Sequence, residues 1–416
     1  MDAVHIRGGN ALFGETKIQG SKNAVLPVMA AALLIEDISI IENCPRISDV
    51  FRMQKLLERI GCRVSRADRT LLIDARDVSK EMMEGEAVTG MRSSLMLLGA
   101  MLGRFHEVTM EYPGGCVIGR RPIDIHLKAL ARMGVDIEEK DGAFTARAGN
   151  LTGNVITLPF PSVGATENVI LTAVMARGIT VLQNAAREPE IVALCQFLCK
   201  SGAMIEGAGG CVILIEGGRK LHGTRFRVPA DRIVAGTYLL AALGAGGHVF
   251  LREAPAMQMN CVIWLAREMG AEVMITREGI TVMTDPVKKP VSCIRTEVYP
   301  GFPTDLQSPL MAVLSKAEGK SVIEEKIFED RFRIVGELCK MGACIRTEGD
   351  MAGICGVENL RGCLVNAGEL RGGAGLVIAG CMAQGETTVT GRHFIERGYE
   401  DICRDLQDLG INIVCG

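Results

Sequence analysis

No stretch of this chain stays apolar long enough to cross a bilayer. The longest runs, such as Val25–Ile35, fall far short of the roughly 20 residues that a helical span needs. The opening M-D-A-V-H-I has no basic segment leading into an apolar one, so no secretory leader is predicted. Charge excess is missing as well. A net charge of −3 excludes a broadly basic nucleic-acid binder, though not a local basic pocket. The fifteen cysteines include no C-x-x-C pair, and Cys195 and Cys199 lack the second pair that a zinc site requires. Odd in number and scattered, they predict free thiols in a reducing cytoplasm. The six histidines fall in no metal-ligand spacing. There is no P-loop and no G-x-S-x-G elbow, and Gly207–Gly210 reads as a hairpin turn. The chemistry that remains is metal-free and cofactor-free.

What the chain does have is apolar content, 48% over 416 residues, enough for two or three domains. It also has a sixfold repeat. KLLERIGCRV, KALARMGVDI, QFLCKSGAMI, WLAREMGAEV, GELCKMGACI and RDLQDLGINI each read as an amphipathic helix, a glycine and a strand. The glycines are Gly61, Gly134, Gly202, Gly270, Gly342 and Gly410, at spacings of 68 to 73 residues. Glycine directly after a helix is the expected left-handed stop. Ahead of each copy lies a second helix that is apolar nearly all round, beginning near Leu26, Ser94, Asn168, Thr237, Pro309 and Ala374. A helix with no polar face is buried. Six of them, too short for lipid, predict core helices wrapped by sheet, the reverse of a barrel with its helices outside.

The sixth unit stops at Gly416 without its last strands. The segment Ile6–Gly20 resembles Ile215–Pro229, which closes the third unit, so the N-terminus is expected to complete the sixth. Six units divide into two domains of three, residues 1–20 with 230–416 and residues 21–229. The chain then crosses between them twice, with a cleft between the domains.

Ser21-Lys22-Asn23, Arg92-Ser93, Ser162–Thr166, Asp231-Arg232, Thr304-Asp305 and Glu369-Leu370-Arg371 precede the apolar helices. Helix starts carry unpaired N–H groups and favour anions. Lys22, Arg92 and Arg371 add cations suited to phosphate and carboxylate. Ser, Thr and Asp at such places are also ordinary caps, and that plainer reading stays open. The linker from strand to amphipathic helix takes 20 or 21 residues in five units and 26 in the second. The excess falls on Tyr112–Pro122, Y-P-G-G-C-V-I-G-R-R-P, which holds Cys116 beside Arg120 and Arg121. A thiol beside fixed positive charge gives thiolate more readily, and an insertion confined to one copy marks a loop added for function. Matched linkers elsewhere carry Arg187, Arg331 and Arg397.

G-S-K-N-A-V-L-P (Gly20–Pro27), P-G-G-C-V-I-G-R-R-P (Pro113–Pro122), N-A-A-R-E-P-E-I (Asn184–Ile191), F-P-T-D-L-Q (Phe302–Gln307) and E-R-G-Y-E (Glu396–Glu400) resemble the UDP-N-acetylglucosamine 1-carboxyvinyltransferase family. The likeness runs the length of the chain. It implies two inside-out α/β barrel (α/β prism) domains of three units each. It also implies enolpyruvyl transfer from phosphoenolpyruvate to the 3-hydroxyl of UDP-N-acetylglucosamine, at the start of peptidoglycan precursor synthesis. By the same resemblance Cys116 is the loop general acid, a site of covalent phosphoenolpyruvate adduct and the target of fosfomycin. Asp305 takes the sugar hydroxyl's proton. Lys22, Arg121 and Arg397 hold phosphoenolpyruvate, and Asn23 and Arg92 lie in the cleft. Arg121, Pro122, Ile123, Asp124, Ile125, Ser162, Val163, Gly164 and Ile327 line the uridine nucleotide site, and Arg331, Glu369 and Arg371 complete the substrate-binding set. Glu369 stands where the family usually has aspartate. Two alternatives accompany this reading: a shikimate 3-phosphate enolpyruvyl transferase, and a low-activity paralogue that binds the nucleotide sugar for regulation.

Overall fold

The computed structural model describes residues 2–79, 92–112, 114, 123–140, 142–287 and 289–416. Six helices form the cores: Lys22–Ala32, Met96–Phe105, Val163–Ala173, Arg232–Ala245, Gln307–Leu314 and Leu370–Met382. Each is buried on all sides over most of its length, as an apolar circumference demands. No helix among the described residues is long and apolar enough to cross a membrane.

Contacts divide the chain into two compact units, one from the described residues of 2–19 and 230–416, the other from those of 20–229. Three core helices and three sheets make up each. In a typical sheet the strand after the core helix pairs antiparallel with the second strand of a hairpin. It pairs parallel with a strand on its other side, as Ile179–Gln183 does with Val212–Glu216 and Val155–Thr157. The parallel strand directly precedes the core helix in the third, fifth and sixth repeats, giving strand–core helix–strand crossovers. The amphipathic helices end as the repeat predicts. All six glycines lie at φ between 86° and 107°, which only glycine adopts freely.

The N-terminal segment does complete the sixth repeat, but it serves two sheets rather than one. Ala3–Arg7 lies between Glu386–Thr390 and Asn412–Cys415, so the last hairpin is closed by strands from opposite chain ends. Leu12–Lys17 runs on into the fourth repeat's sheet, parallel to Gly247–Arg252. Its counterpart at the end of the third repeat, Arg225–Arg227, lies parallel to Ile38–Glu42 of the first. Each unit thus closes on a strand distant in sequence, and because residues 2–19 belong with 230–416 the chain passes between units twice.

The core helices begin in two ways. Ser21, Ser162, Asp231 and Glu369 cap theirs with side-chain oxygens. The second and fifth are entered through 3-10 turns, Arg92–Leu95 and Thr304–Leu306.

The expectation of free thiols needs a correction. Cys403, near the start of the helix Ile402–Asp408, and Cys415, the last residue of the final strand, are joined in a disulfide, with Cα atoms 6.2 Å apart. The chain between them, a sequence separation of 12, folds back on itself, and no sequence motif announces the pair. The other described cysteines are free. Burial pushes the thiols of Cys62, Cys195 and Cys381 up to about 12, which leaves them protonated and inert.

Asp405 is part-buried in the same region and accepts from the Tyr238 hydroxyl at 2.5 Å. Burial raises its carboxyl to about 6, against the Tyr238 hydrogen bond, which favours the charge. The folded state therefore holds this proton more tightly than the unfolded chain does. Its contribution to stability is full below the unfolded carboxyl range and is lost as pH rises through about 6. Asp405→Asn should remove that loss. In urea denaturation at a series of pH values, wild type should lose up to about 3 kcal/mol relative to the variant between pH 4 and 7, with the difference flat above pH 7.

Candidate active site

In the unit of residues 2–19 and 230–416, the fifth core helix starts at the 3-10 turn that carries Asp305. Both oxygens of its carboxylate accept from guanidinium groups, Arg331 Nη2 at 2.6 Å and Arg371 Nη2 at 3.0 Å. Arg331 also donates through Nε to Thr304 Oγ1 at 3.1 Å and lies 3.5 Å from Glu369 Oε2. The two guanidinium side chains are 3% exposed and Asp305 is 26% exposed. The carboxylate is therefore the reachable member of a group whose cations are sealed behind it. Burial works against the charge on Arg371, but Asp305, Tyr399 and Asp231 together outweigh it, and the pKa of the guanidinium is raised. Arg371 lies over the Tyr399 ring, and Tyr399 hydroxyl meets Thr237 Oγ1 at 2.8 Å. Arg397 is buried in the turn that follows the short helix Arg392–Ile395. Ile327 donates its N–H to Glu325 Oε1 at 2.9 Å.

Glu369 resolves the extra methylene through its backbone. Asp231, the matching cap in the fourth repeat, sits at φ −79°, ψ 109° and accepts from the N–H groups two and three residues ahead. Glu369 is more extended, at φ −160°, ψ 169°, and its longer side chain folds back onto the same two positions, the N–H groups of Arg371 and Gly372.

In the unit of residues 20–229, Lys22 and Asn23 open the first core helix. Lys22 Nζ lies 3.0 Å from Asp49, a buried carboxylate in the first turn of the helix Ser48–Arg59. Arg92 occupies the 3-10 turn before the second core helix. The segments Ile123–Ile125 and Ser162–Gly164, distant in sequence, are brought together by His126. Its Nδ1 is 3.0 Å from Asn168 Nδ2, and a Cβ on Gly164 would stand only 2.8 Å from its Cε1. Asn168 also accepts from Gly99 N–H at 2.6 Å, tying the second and third core helices. Asp124 pairs with Lys128 at 3.0 Å, and that hydrogen bond holds its carboxyl below the usual range. Cys116, Arg121 and Pro122, with the rest of 115–122, lie outside the described residues.

The matched arginines divide. Arg331 and Arg397 are buried, whereas Arg187 is exposed and donates to Gly209 C=O at 3.3 Å. Sequence reasoning missed Asp49, His126, Asn168 and Glu325, whose side chains position the residues it found. Glu325 ties Thr304 Oγ1 at 3.0 Å to the N–H groups of Ile327 and Phe328, but in the sequence it is one of two adjacent glutamates after a strand. Glu167 was missed too. It is buried in the third core helix, and its oxygens have no hydrogen-bond partner among the described residues. Burial, with Glu190 and Glu188 nearby, raises its carboxyl well above the usual range. A charged residue inside an otherwise apolar helix was the available signal.

Residues 6–406 match the family model described as EPSP synthase (3-phosphoshikimate 1-carboxyvinyltransferase). The solved structure of the enolpyruvyl transferase NikO from Streptomyces tendae is similar at a TM-score of 0.87 and 25% identity, over 99% of this chain and 98% of that one. EPSP synthase from Acinetobacter baumannii, 19% identical over 100% of both chains at a TM-score of 0.75, shares the fold. Fold and family model together define the class as that of the EPSP synthase-like enolpyruvyl transferases. Two relatives narrow it. UDP-N-acetylglucosamine 1-carboxyvinyltransferase 2 of Caldanaerobacter subterraneus subsp. tengcongensis is 46% identical, over 100% of this chain and 99% of its own. UDP-N-acetylglucosamine 1-carboxyvinyltransferase of Clostridium botulinum is 41% identical over 100% of both. The chain belongs to the UDP-N-acetylglucosamine 1-carboxyvinyltransferase family.

Removing the Glu369 carboxylate leaves two N–H groups of the sixth core helix and one face of Arg331 without an acceptor. Glu369→Ala should cost about 2 kcal/mol in urea denaturation, whereas Glu369→Asp should cost less than half of that, since Asp231 caps an equivalent start.

Proposed function

We propose that this chain transfers the enolpyruvyl group of phosphoenolpyruvate to the 3-hydroxyl of UDP-N-acetylglucosamine and releases phosphate, in a cytoplasmic step of peptidoglycan precursor synthesis. The observation that carries the reading is Asp305. A part-exposed carboxylate held on both oxygens by two buried guanidinium groups can accept a hydrogen bond from a hydroxyl without turning away. Full-length relatives named for this reaction support the choice of acceptor.

The reaction balances as addition and then elimination. The sugar oxygen bonds to C2 of phosphoenolpyruvate while its proton passes toward Asp305, and a proton from Cys116 reaches C3. The resulting ketal phosphate loses phosphate as a C3 proton departs, so the C2–C3 double bond re-forms and the sugar oxygen is left in a vinyl ether. Lys22, Arg121 and Arg397 would hold the donor's carboxylate and phosphate, about three negative charges near neutral pH. Asn23, Arg92 and Arg371 would add to that field. Ile123–Ile125, Ser162–Gly164 and Ile327 would take the uridine nucleotide, and Arg331 and Glu369 would keep Asp305 in position. Fosfomycin would alkylate Cys116.

The test is phosphate release from phosphoenolpyruvate in the presence of UDP-N-acetylglucosamine or of shikimate 3-phosphate. Release should occur with the nucleotide sugar alone and cease after fosfomycin treatment. Asp305→Asn and Cys116→Ala should each lower kcat by about 100-fold or more. Binding of the nucleotide sugar without phosphate release would replace this reading with that of a regulatory binding protein.

A further inference from the structure

The turn that carries Arg397 is braced from both sides by the two chain ends. On one side, the helix Arg392–Ile395 is held at its start by Asp2. The backbone C=O of Asp2 accepts from Gly391 N–H at 3.0 Å, and its carboxylate accepts from His393 N–H at 3.0 Å and contacts the His393 ring. Asp2 leads directly into the strand Ala3–Arg7. On the other side, Asp401 caps the helix Ile402–Asp408, accepting from Arg404 N–H at 3.0 Å. Between the two helices, Gln19 holds the turn through Gly398 C=O at 3.0 Å and Glu400 N–H at 2.7 Å.

The Cys403–Cys415 bond connects these braces. Cys403 lies two residues beyond the Asp401 cap. Cys415 ends the strand Asn412–Cys415, which is the edge of its sheet and has Ala3–Arg7 as its one strand neighbour. With the bond closed, the path from Arg397 through Cys403, the edge strand, Ala3–Arg7 and Asp2 back to Arg397 is a ring. With it open, the edge strand is held by its ladder to Ala3–Arg7 and by Gln407 Nε2 to Ile413 C=O at 2.6 Å, and Gly416 beyond it donates to Ala3 C=O at 3.0 Å and accepts from Arg392 Nη1 at 3.5 Å. An edge strand with a single neighbour is a place where local opening is cheap. Cys403 is buried and Cys415 is part-exposed, so reagents reach the chain-end sulfur first.

We propose that Cys403 and Cys415 form a reversible dithiol–disulfide site whose oxidation by a low-molecular-weight disulfide stiffens the Arg397 turn and tightens donor binding. The thiolate of Cys415 attacks the reagent's S–S bond, forming a mixed disulfide and releasing one thiol. Cys403 then displaces the second thiol and closes the intrachain bond. Two protein thiols are oxidised, and one disulfide is reduced to two thiols. The effect on catalysis rests on the reading of Arg397 as a donor ligand; the redox site itself does not.

Equilibration of the full chain across glutathione–glutathione disulfide ratios, followed by alkylation and peptide mapping, reads the bond directly. A chelator is present throughout, because Asp401 lies within 4.8 Å of both sulfurs and the reduced trio could ligate an ion. The 403–415 linkage should appear and disappear reversibly. Amide hydrogen exchange in residues 396–401 and 412–415 should slow several-fold in the oxidised form. The KM for phosphoenolpyruvate should fall several-fold while kcat stays within twofold. The double variant Cys403→Ser, Cys415→Ser should keep the exchange and KM of the reduced form in both buffers, which separates this site from oxidation of Cys116. Absence of the linkage at every ratio overturns the proposal, as does a linkage that leaves exchange at 396–401 unchanged. Slower exchange with an unchanged KM would overturn the donor-binding claim. If the chain does not turn over in either state, the functional reading fails, and mapping and exchange still decide the redox site.

Discussion

A helix with no polar face has to be covered on every side. Six such helices in one chain leave few arrangements open, because a single sheet covers one side of a helix and an apolar trio needs three. Each unit meets this demand with three core helices and three sheets. The consequence for chemistry is direct. Along a core helix, the place where a polar side chain can project without being buried among apolar neighbours is its end. Lys22, Asn23, Arg92, Gly164, Asp305 and Arg371 all lie within a turn of a core-helix start. The unpaired N–H groups at such starts suit the same anions that the cations attract.

Buried charge is tolerated near Asp305 because none of it is alone. Removing a guanidinium from water costs several kcal/mol unless an opposite charge and further hydrogen bonds meet it. Arg331 is met by Asp305, Thr304 and Glu369, and Arg371 by Asp305. The aromatic faces of Phe328 and Tyr399 cover the same two groups. The extra methylene of Glu369 relative to Asp231, the matching cap of the fourth repeat, is absorbed by an extended backbone at one residue, so the carboxylate still caps its helix.

Some of the site was legible because its residues occupy repeated positions. Lys22, Arg92, Asp305 and Glu369-Leu370-Arg371 stand at the same place in successive repeats, and repetition converts a list of charges into a set of equivalent helix starts. The matched linker arginines show the limit of that logic. Arg331 and Arg397 are buried and Arg187 is exposed, because equivalence of position does not fix what covers a side chain. The supporting residues left no periodic trace at all. Asp49 reaches Lys22, Asn168 joins His126 to Gly99, and Glu325 joins Thr304 to Ile327, each across a separation that only folding brings within hydrogen-bond distance.

The amino-acid pattern alone determined the six repeats, the buried helices, the left-handed glycines that end the amphipathic ones and the return of the N-terminus to the sixth repeat. These follow from local periodicity and from the cost of exposing apolar surface, both of which are written residue by residue. Tertiary structure decided that Ala3–Arg7 and Leu12–Lys17 enter different sheets. It also decided that Glu369 recovers an aspartate-like cap, that Glu167 is buried without a hydrogen-bond partner among the described residues, and that Cys403 and Cys415 meet. Those outcomes depend on distances between segments far apart in the chain or on a single backbone angle, and neither is encoded in the spacing of residue types.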